Sequence, residues 1–153
     1  MSRDLWRNPL ASLLKGHNVA GSRHGRQIGM YTQVAYTSQM KAVFIELPAF
    51  ERHRDDYLDD DGFAQLQVEL MVNPVAGDLI EGTGGLRKLR FKDSRRSKGK
   101  RGGLRVIFYY WTGGPEFWLF TLYNKDEMSD LTPKQRAALK EIIKDELKMR
   151  RKS

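Results

Sequence analysis

The sequence predicts an α+β domain built on a small, mostly antiparallel sheet. Three observations carry that expectation. Strand-like and helical patterns follow one another in the order strand, helix, helix, three strands, helix. Two aromatic, β-branched runs, 104–111 and 116–123, are joined by Thr112-Gly113-Gly114-Pro115, a hairpin signal. The last helix opens on Thr132-Pro133-Lys134-Gln135, with Thr at the N-cap, Pro at the first helical position and Gln placed to close a capping box.

The elements follow in order. Residues 1–39 show no clear helical or strand period, are punctuated by Gly16, Gly21, Gly25 and Gly29, and hold Asp4 as their only acid. They lack the uninterrupted apolar run of a secretory signal and the sustained amphipathic pattern of a transit peptide. The expectation is a disordered or loosely attached arm, with Met40 a candidate authentic start and 1–39 an upstream extension. Residues 40–153 form the domain. Ala42 to Leu47 reads as its first strand. Pro48 to Leu58 reads as a short helix, because proline at the first turn forfeits no helical hydrogen bond. Asp59-Asp60-Asp61 supplies an N-cap and negative charge at the start of a second helix. Its apolar stripe is Phe63, Leu66, Leu70 and Met71, and Asn73-Pro74 ends it.

Gly82, Gly84 and Gly85 mark a turn into the strand 86–91. Alternation there puts Arg87, Leu89 and Phe91 on one side and Leu86, Lys88 and Arg90 on the other. Residues 92–103, KDSRRSKGKRGG, are too polar and glycine-rich to pack and read as a loop. The final helix carries the stripe Ala138, Leu139, Ile142, Ile143 and Leu147. No internal repeat is visible.

Composition narrows the function. The chain has 153 residues, room for one compact domain, and a net charge of +8. That balance favours a polyanionic partner, nucleic acid or an anionic membrane surface. No apolar stretch approaches the roughly 18 residues of a membrane helix, and the cations cluster on strand-like segments rather than on a basic amphipathic helix. The absence of cysteine excludes disulfides, thiolate nucleophiles and thiolate zinc sites. His17, His24 and His53 show no metal-ligand spacing, so neither a metal nor a cofactor is expected.

From Arg87 to Arg105 the cations are Arg87, Lys88, Arg90, Lys92, Arg95, Arg96, Lys98, Lys100, Arg101 and Arg105, against one acid, Asp93. A charge run is commonly just a solvated face. The strands argue further, because like charges on adjacent strands repel by about 0.2–1 kcal/mol per neighbouring pair. A bound anion relieves that cost, and guanidinium forks match phosphate oxygens. Tyr123, read alone, is either a base-stacking or phosphate-donating group or an aromatic at a sheet end with its hydroxyl in water. Lys125, two residues on, reads alone as an ordinary surface lysine or as a further basic candidate. Proton transfer in RNA cleavage ordinarily falls to His or Glu, and neither is well placed here. Crowding by cations lowers a lysine's pKa, while arginine supplies charge and position only.

The succession MKAVFIELPAFERHRDDYL, VELMVNPVAGDLIEGTGGLRKLRF, SKGKRGGLRVIFYY and LYNKDEMSDLTPKQ resembles the RelE/HigB-type toxins of bacterial type II toxin–antitoxin systems, the HigB branch most closely. It spans about residues 40–147, and its segments are specific together rather than singly. The resemblance implies a RelE-like microbial RNase fold with two N-terminal helices, a small sheet and a C-terminal helix. It also implies a ribosome-dependent mRNA interferase of the bacterial cytoplasm, entering the ribosomal A site and cutting messenger by metal-independent attack of the 2′-oxygen. The implied partners are the ribosome, mRNA and a cognate helix-turn-helix antitoxin, through which alone operator DNA is met.

By the same resemblance Arg90 and Arg105 stabilise phosphate, Lys88 or Lys125 transfers a proton, and Tyr123 stacks on a base or contacts phosphate. Arg87 is the reserve for Lys88, since a one-residue slip exchanges their faces. Lys92, Arg95, Arg96, Lys98, Lys100 and Arg101 are the expected RNA-binding cations around them. The C-terminal tyrosine of the RelE branch has no counterpart in MSDLTPKQ, so the general base stays open. The competing reading is a non-catalytic basic module that binds RNA or the ribosome.

Overall fold

The computed structural model describes residues 31–36, 41–92, 103–127 and 130–151, the first of these as backbone only. Among the described residues the chain is α+β, with a mixed sheet and three helices. The strands are β1 (Tyr31–Tyr36), β2 (Lys41–Glu46), β3 (Asp78–Leu79), β4 (Arg87–Phe91), β5 (Leu104–Trp111) and β6 (Glu116–Asn124). The helices are α1 (Pro48–Tyr57), α2 (Asp60–Val72) and α3 (Pro133–Arg151). The strands form one sheet in the order β1-β2-β6-β5-β4-β3. Every pairing is antiparallel except β2 with β6. That parallel pair requires a long crossover between its strands.

Two strands were not anticipated. β1 lies where the sequence shows no strand period, and its backbone pairs with β2 from Tyr31 opposite Glu46 to Tyr36 opposite Lys41. Its YTQVAY sequence sets the polar Thr32 and Gln33 next to each other, breaking alternation, and an edge strand held by backbone pairing needs no strong apolar alternation. β3, two residues long, is too short to show a period; it pairs Asp78 with Lys88 and Leu79 with Arg87. The expectation of an arm or upstream extension, where it covers residues 1–30 and 37–39, lies outside the described residues.

The helix signals work as chemistry requires. Asp59 Oδ1 accepts from Gly62 N–H at 2.7 Å and caps α2. The capping box of α3 is reciprocal: Gln135 N–H donates to Thr132 Oγ1 at 3.2 Å, and Thr132 N–H donates to Gln135 Oε1 at 2.8 Å. Leu47 precedes α1 without a side-chain cap, and Pro48 begins it.

Helices cover both faces of the sheet. On one, Phe50 of α1 and Phe63, Leu66, Leu70 and Met71 of α2 pack with Phe44, Leu89, Phe91, Val106, Phe108, Phe117 and Leu122. On the other, Leu139, Ile142 and Ile143 of α3 pack with Ile45, Ile107, Trp118, Phe120 and Tyr123. Two ionic contacts pin the helices. Arg54 of α1 reaches the buried Glu46 at 3.2 Å and lies 4.6 Å from the Phe63 ring centroid. Burial pushes the Glu46 carboxyl up, against the downward pull of Arg54. Near the end of α3, Arg150 sits 4.9 Å and 4.7 Å from the Trp111 and Trp118 rings and reaches Glu116 Oε1 at 2.6 Å.

One irregularity decides which side chains meet. Ile107 pairs with Thr121, but Phe108 pairs with Leu119, so Phe120 is an extra residue in β6. Such a bulge shifts the alternation by one position. Beyond it Leu122 joins the α1–α2 face and Tyr123 joins the α3 face.

Candidate anion and RNA site

The α3 face of β4, β5 and β6 carries a polar row at one end. Arg90 pairs with Arg105, and Arg105 pairs with Tyr123, so three adjacent strands contribute one side chain each. Residues directly opposite in an antiparallel ladder share a face. Lys88, two positions from Arg90 on β4, lies on that face opposite Ile107.

The environments differ along the row. Arg90 is exposed, whereas Arg105 is buried at 6% exposure, with Nη1 donating to Leu104 O at 3.2 Å. Tyr123 is 1% exposed, and its Oη has no hydrogen-bond partner among the described residues. Burial pushes the phenol up to about 12; the Asp130 carboxylate adds to the shift and Arg105 opposes it. Tyr123 therefore keeps its proton at neutral pH and is available as a hydrogen-bond donor.

Asp130 closes the site from the segment before α3. Its Oδ1 accepts from Lys88 Nζ at 3.4 Å and from Leu131 N–H at 2.8 Å. Its Oδ2 accepts from Arg136 Nη2 at 3.3 Å. Burial alone would raise the Asp130 carboxyl, but the Leu131 amide, Lys88 and Arg136 together hold it below the ordinary carboxylate value.

The structure thus brings Lys88, Arg90, Arg105 and Tyr123 onto one face. Lys125 follows β6 in the next turn, its side chain exposed and its N–H donating to Gly103 O at 3.4 Å at the mouth of β5. Lys92 is exposed just past β4. Arg87 is on the opposite face, in phase with Leu89 and Phe91, and its Nη1 donates to Val75 O at 3.0 Å and Gly77 O at 3.2 Å. It braces the turn into β3 rather than joining Lys88, so it does not stand in for that residue here. Gly77 has φ +78°, and a Cβ there would lie 2.4 Å from Lys88 O. Only glycine allows this backbone so close to β4. The candidates Arg95, Arg96, Lys98, Lys100 and Arg101 lie outside the described residues.

Sequence reasoning did not single out Asp130 and Arg136. The sequence places them only beside the capping box, D-L-T-P-K-Q-R, and it is tertiary packing that brings the start of α3 to Lys88. His53, the one histidine among the described residues, is on α1 beside Asp56 at 3.5 Å and takes no part. Among the described residues no cluster of three or more His, Cys, Asp or Glu side chains is placed to hold a metal ion, and no helix is long and apolar enough to cross a membrane.

Two guanidinium groups and an ammonium, with a buried phenol as neutral donor, form a set suited to a phosphodiester. No protein-family model matches the chain.

Proposed function

We propose that this chain is a ribosome-dependent mRNA endonuclease of the RelE/HigB type, the toxin of a bacterial toxin–antitoxin pair. The observation that carries the reading is the Arg90–Arg105–Tyr123 row across three strands on one face. In this reading the fold is the RelE-like microbial RNase fold. The protein acts in the bacterial cytoplasm, in the ribosomal A site, and a helix-turn-helix antitoxin neutralises it and links it to operator DNA.

Mechanistically, Arg90 and Arg105 hold the scissile phosphate and offset the charge that grows on its non-bridging oxygens. The 2′-oxygen attacks phosphorus in line, the bond to the 5′-oxygen breaks, and a 2′,3′-cyclic phosphate and a free 5′-hydroxyl result. Of Lys88 and Lys125, one takes the proton from the 2′-hydroxyl and the other, as an ammonium, gives one to the departing 5′-oxygen, while Tyr123 donates a hydrogen bond to phosphate. Holding the nucleophile in line is the larger share of the work.

One observation favours a second reading, a non-catalytic module that holds RNA or the ribosome. The two groups at the site whose titration is displaced, Tyr123 and Asp130, are both moved away from neutrality. Primer extension on messenger RNA during induced expression separates the two. The endonuclease gives discrete new 5′ ends within reading frames. Growth arrest with intact messages supports the binding module and overturns the nuclease.

A further inference from the structure

We propose that Asp130 is an internal counter-anion standing where an RNA phosphate binds, and that Arg136 is a further phosphate ligand, exposed to substrate when that carboxylate is displaced. This rests on the RNA-binding reading above and names how the same site admits its ligand.

The argument begins with matched chemistry. A carboxylate and a phosphodiester each present two oxygens and one negative charge. Asp130 directs one oxygen to Lys88 of β4 and the other to Arg136 of α3, so it bridges cations from opposite layers. Both contacts are long, at 3.4 and 3.3 Å, and the Asp130 side chain is 48% exposed. Half-exposed pairs of this kind contribute little, so an anion that better fits the guanidinium fork can replace the carboxylate.

The surroundings hold more donors than one carboxylate satisfies. Arg136 Nε and Tyr123 Oη are both buried and without a hydrogen-bond partner among the described residues. Buried donors left unpaired are costly; Arg136 already contacts Asp130 through Nη2, and Tyr123 is near enough for the Asp130 charge to shift its phenol. A phosphodiester is larger and reaches donors that Asp130 leaves over. Asp130 therefore holds Lys88 and Arg136 in place while keeping affinity for free anions low.

The test uses the full chain and a single-stranded RNA oligonucleotide that is 2′-O-methylated throughout, which binds without being cut. Fluorescence anisotropy is followed over a salt series, with thermal midpoints measured alongside. Asp130→Asn should bind about fivefold more tightly. Arg136→Gln should bind more weakly, with a log–log salt slope shallower by about 0.7, one single-strand phosphate contact. Arg136→Lys should restore that slope, which a purely structural role would not do. An unchanged slope in folded Arg136→Gln overturns the proposal, as does weaker binding by a folded Asp130→Asn. If Asp130→Asn fails to fold, the two Arg136 variants decide alone. A wild-type chain that does not bind the oligonucleotide overturns this inference, and the nuclease reading is then decided separately by primer extension; wild-type binding with an unchanged Arg136→Gln slope also removes the inference alone.

Discussion

Arg90 and Arg105 stand directly opposite each other on β4 and β5, on the face that also receives Tyr123. Two guanidinium groups in register repel, and each faces a different environment, Arg90 in solvent and Arg105 buried. A shared anion turns that repulsion into a binding contribution.

Tyr123→Phe should separate stability from function. The hydroxyl is buried without a partner among the described residues, so its removal should leave stability unchanged or raise it by about 1 kcal/mol. RNA cleavage should fall, because the phosphate loses a donor. Denaturant unfolding and a cleavage assay on the same preparation check this; a loss of stability with full activity would assign Tyr123 to packing alone.

The same residue predicts an alkaline response. Its folded pKa, about 12, lies above the ordinary 10.0. Between those values the unfolded chain gives up a proton that the folded chain keeps, so Tyr123's contribution is complete below pH 10 and declines as pH rises through about 12. Stability of wild type relative to Tyr123→Phe should therefore drop across that window and stay level from pH 7 to 9. A level difference throughout would show that the phenol is not desolvated.

Arg150→Ala should loosen α3. Arg150 lies against two tryptophan rings and reaches Glu116, which also accepts from Trp118 Nε1 at 2.8 Å. Its loss should cost about 2 kcal/mol in denaturant unfolding. It should change RNA affinity far less than Arg105→Gln does, because it sits at the hairpin end of the sheet. Equal losses of affinity would mean that α3 transmits its docking to the site.

Much of this fold is legible in the sequence because its signals are local. The Thr132–Gln135 box, the Asp59 cap, the Phe63–Met71 stripe and the 112–115 hairpin each need only neighbouring residues. β1 and β3 escape because backbone pairing with β2 and β4 makes them strands. In the site, the face shared by Lys88 and Arg90 follows from simple alternation, and the opposite face of Arg87 follows with it. Tyr123 does not, since strict alternation from Trp118 would put it on the other face. The bulge at Phe120 corrects the phase, and it depends on the partner strand. Asp130 and Arg136 are invisible for another reason: only tertiary packing brings the start of α3 to Lys88.

Convergence on a shared phosphate is tested most directly by a double-mutant cycle on RNA affinity with Arg90→Gln, Arg105→Gln and the double variant. Two arginines that hold one phosphate should couple by about 1 kcal/mol, the double variant losing less affinity than the sum of the single losses. Losses that add, in variants that keep the wild-type fold, would contradict a common anion site.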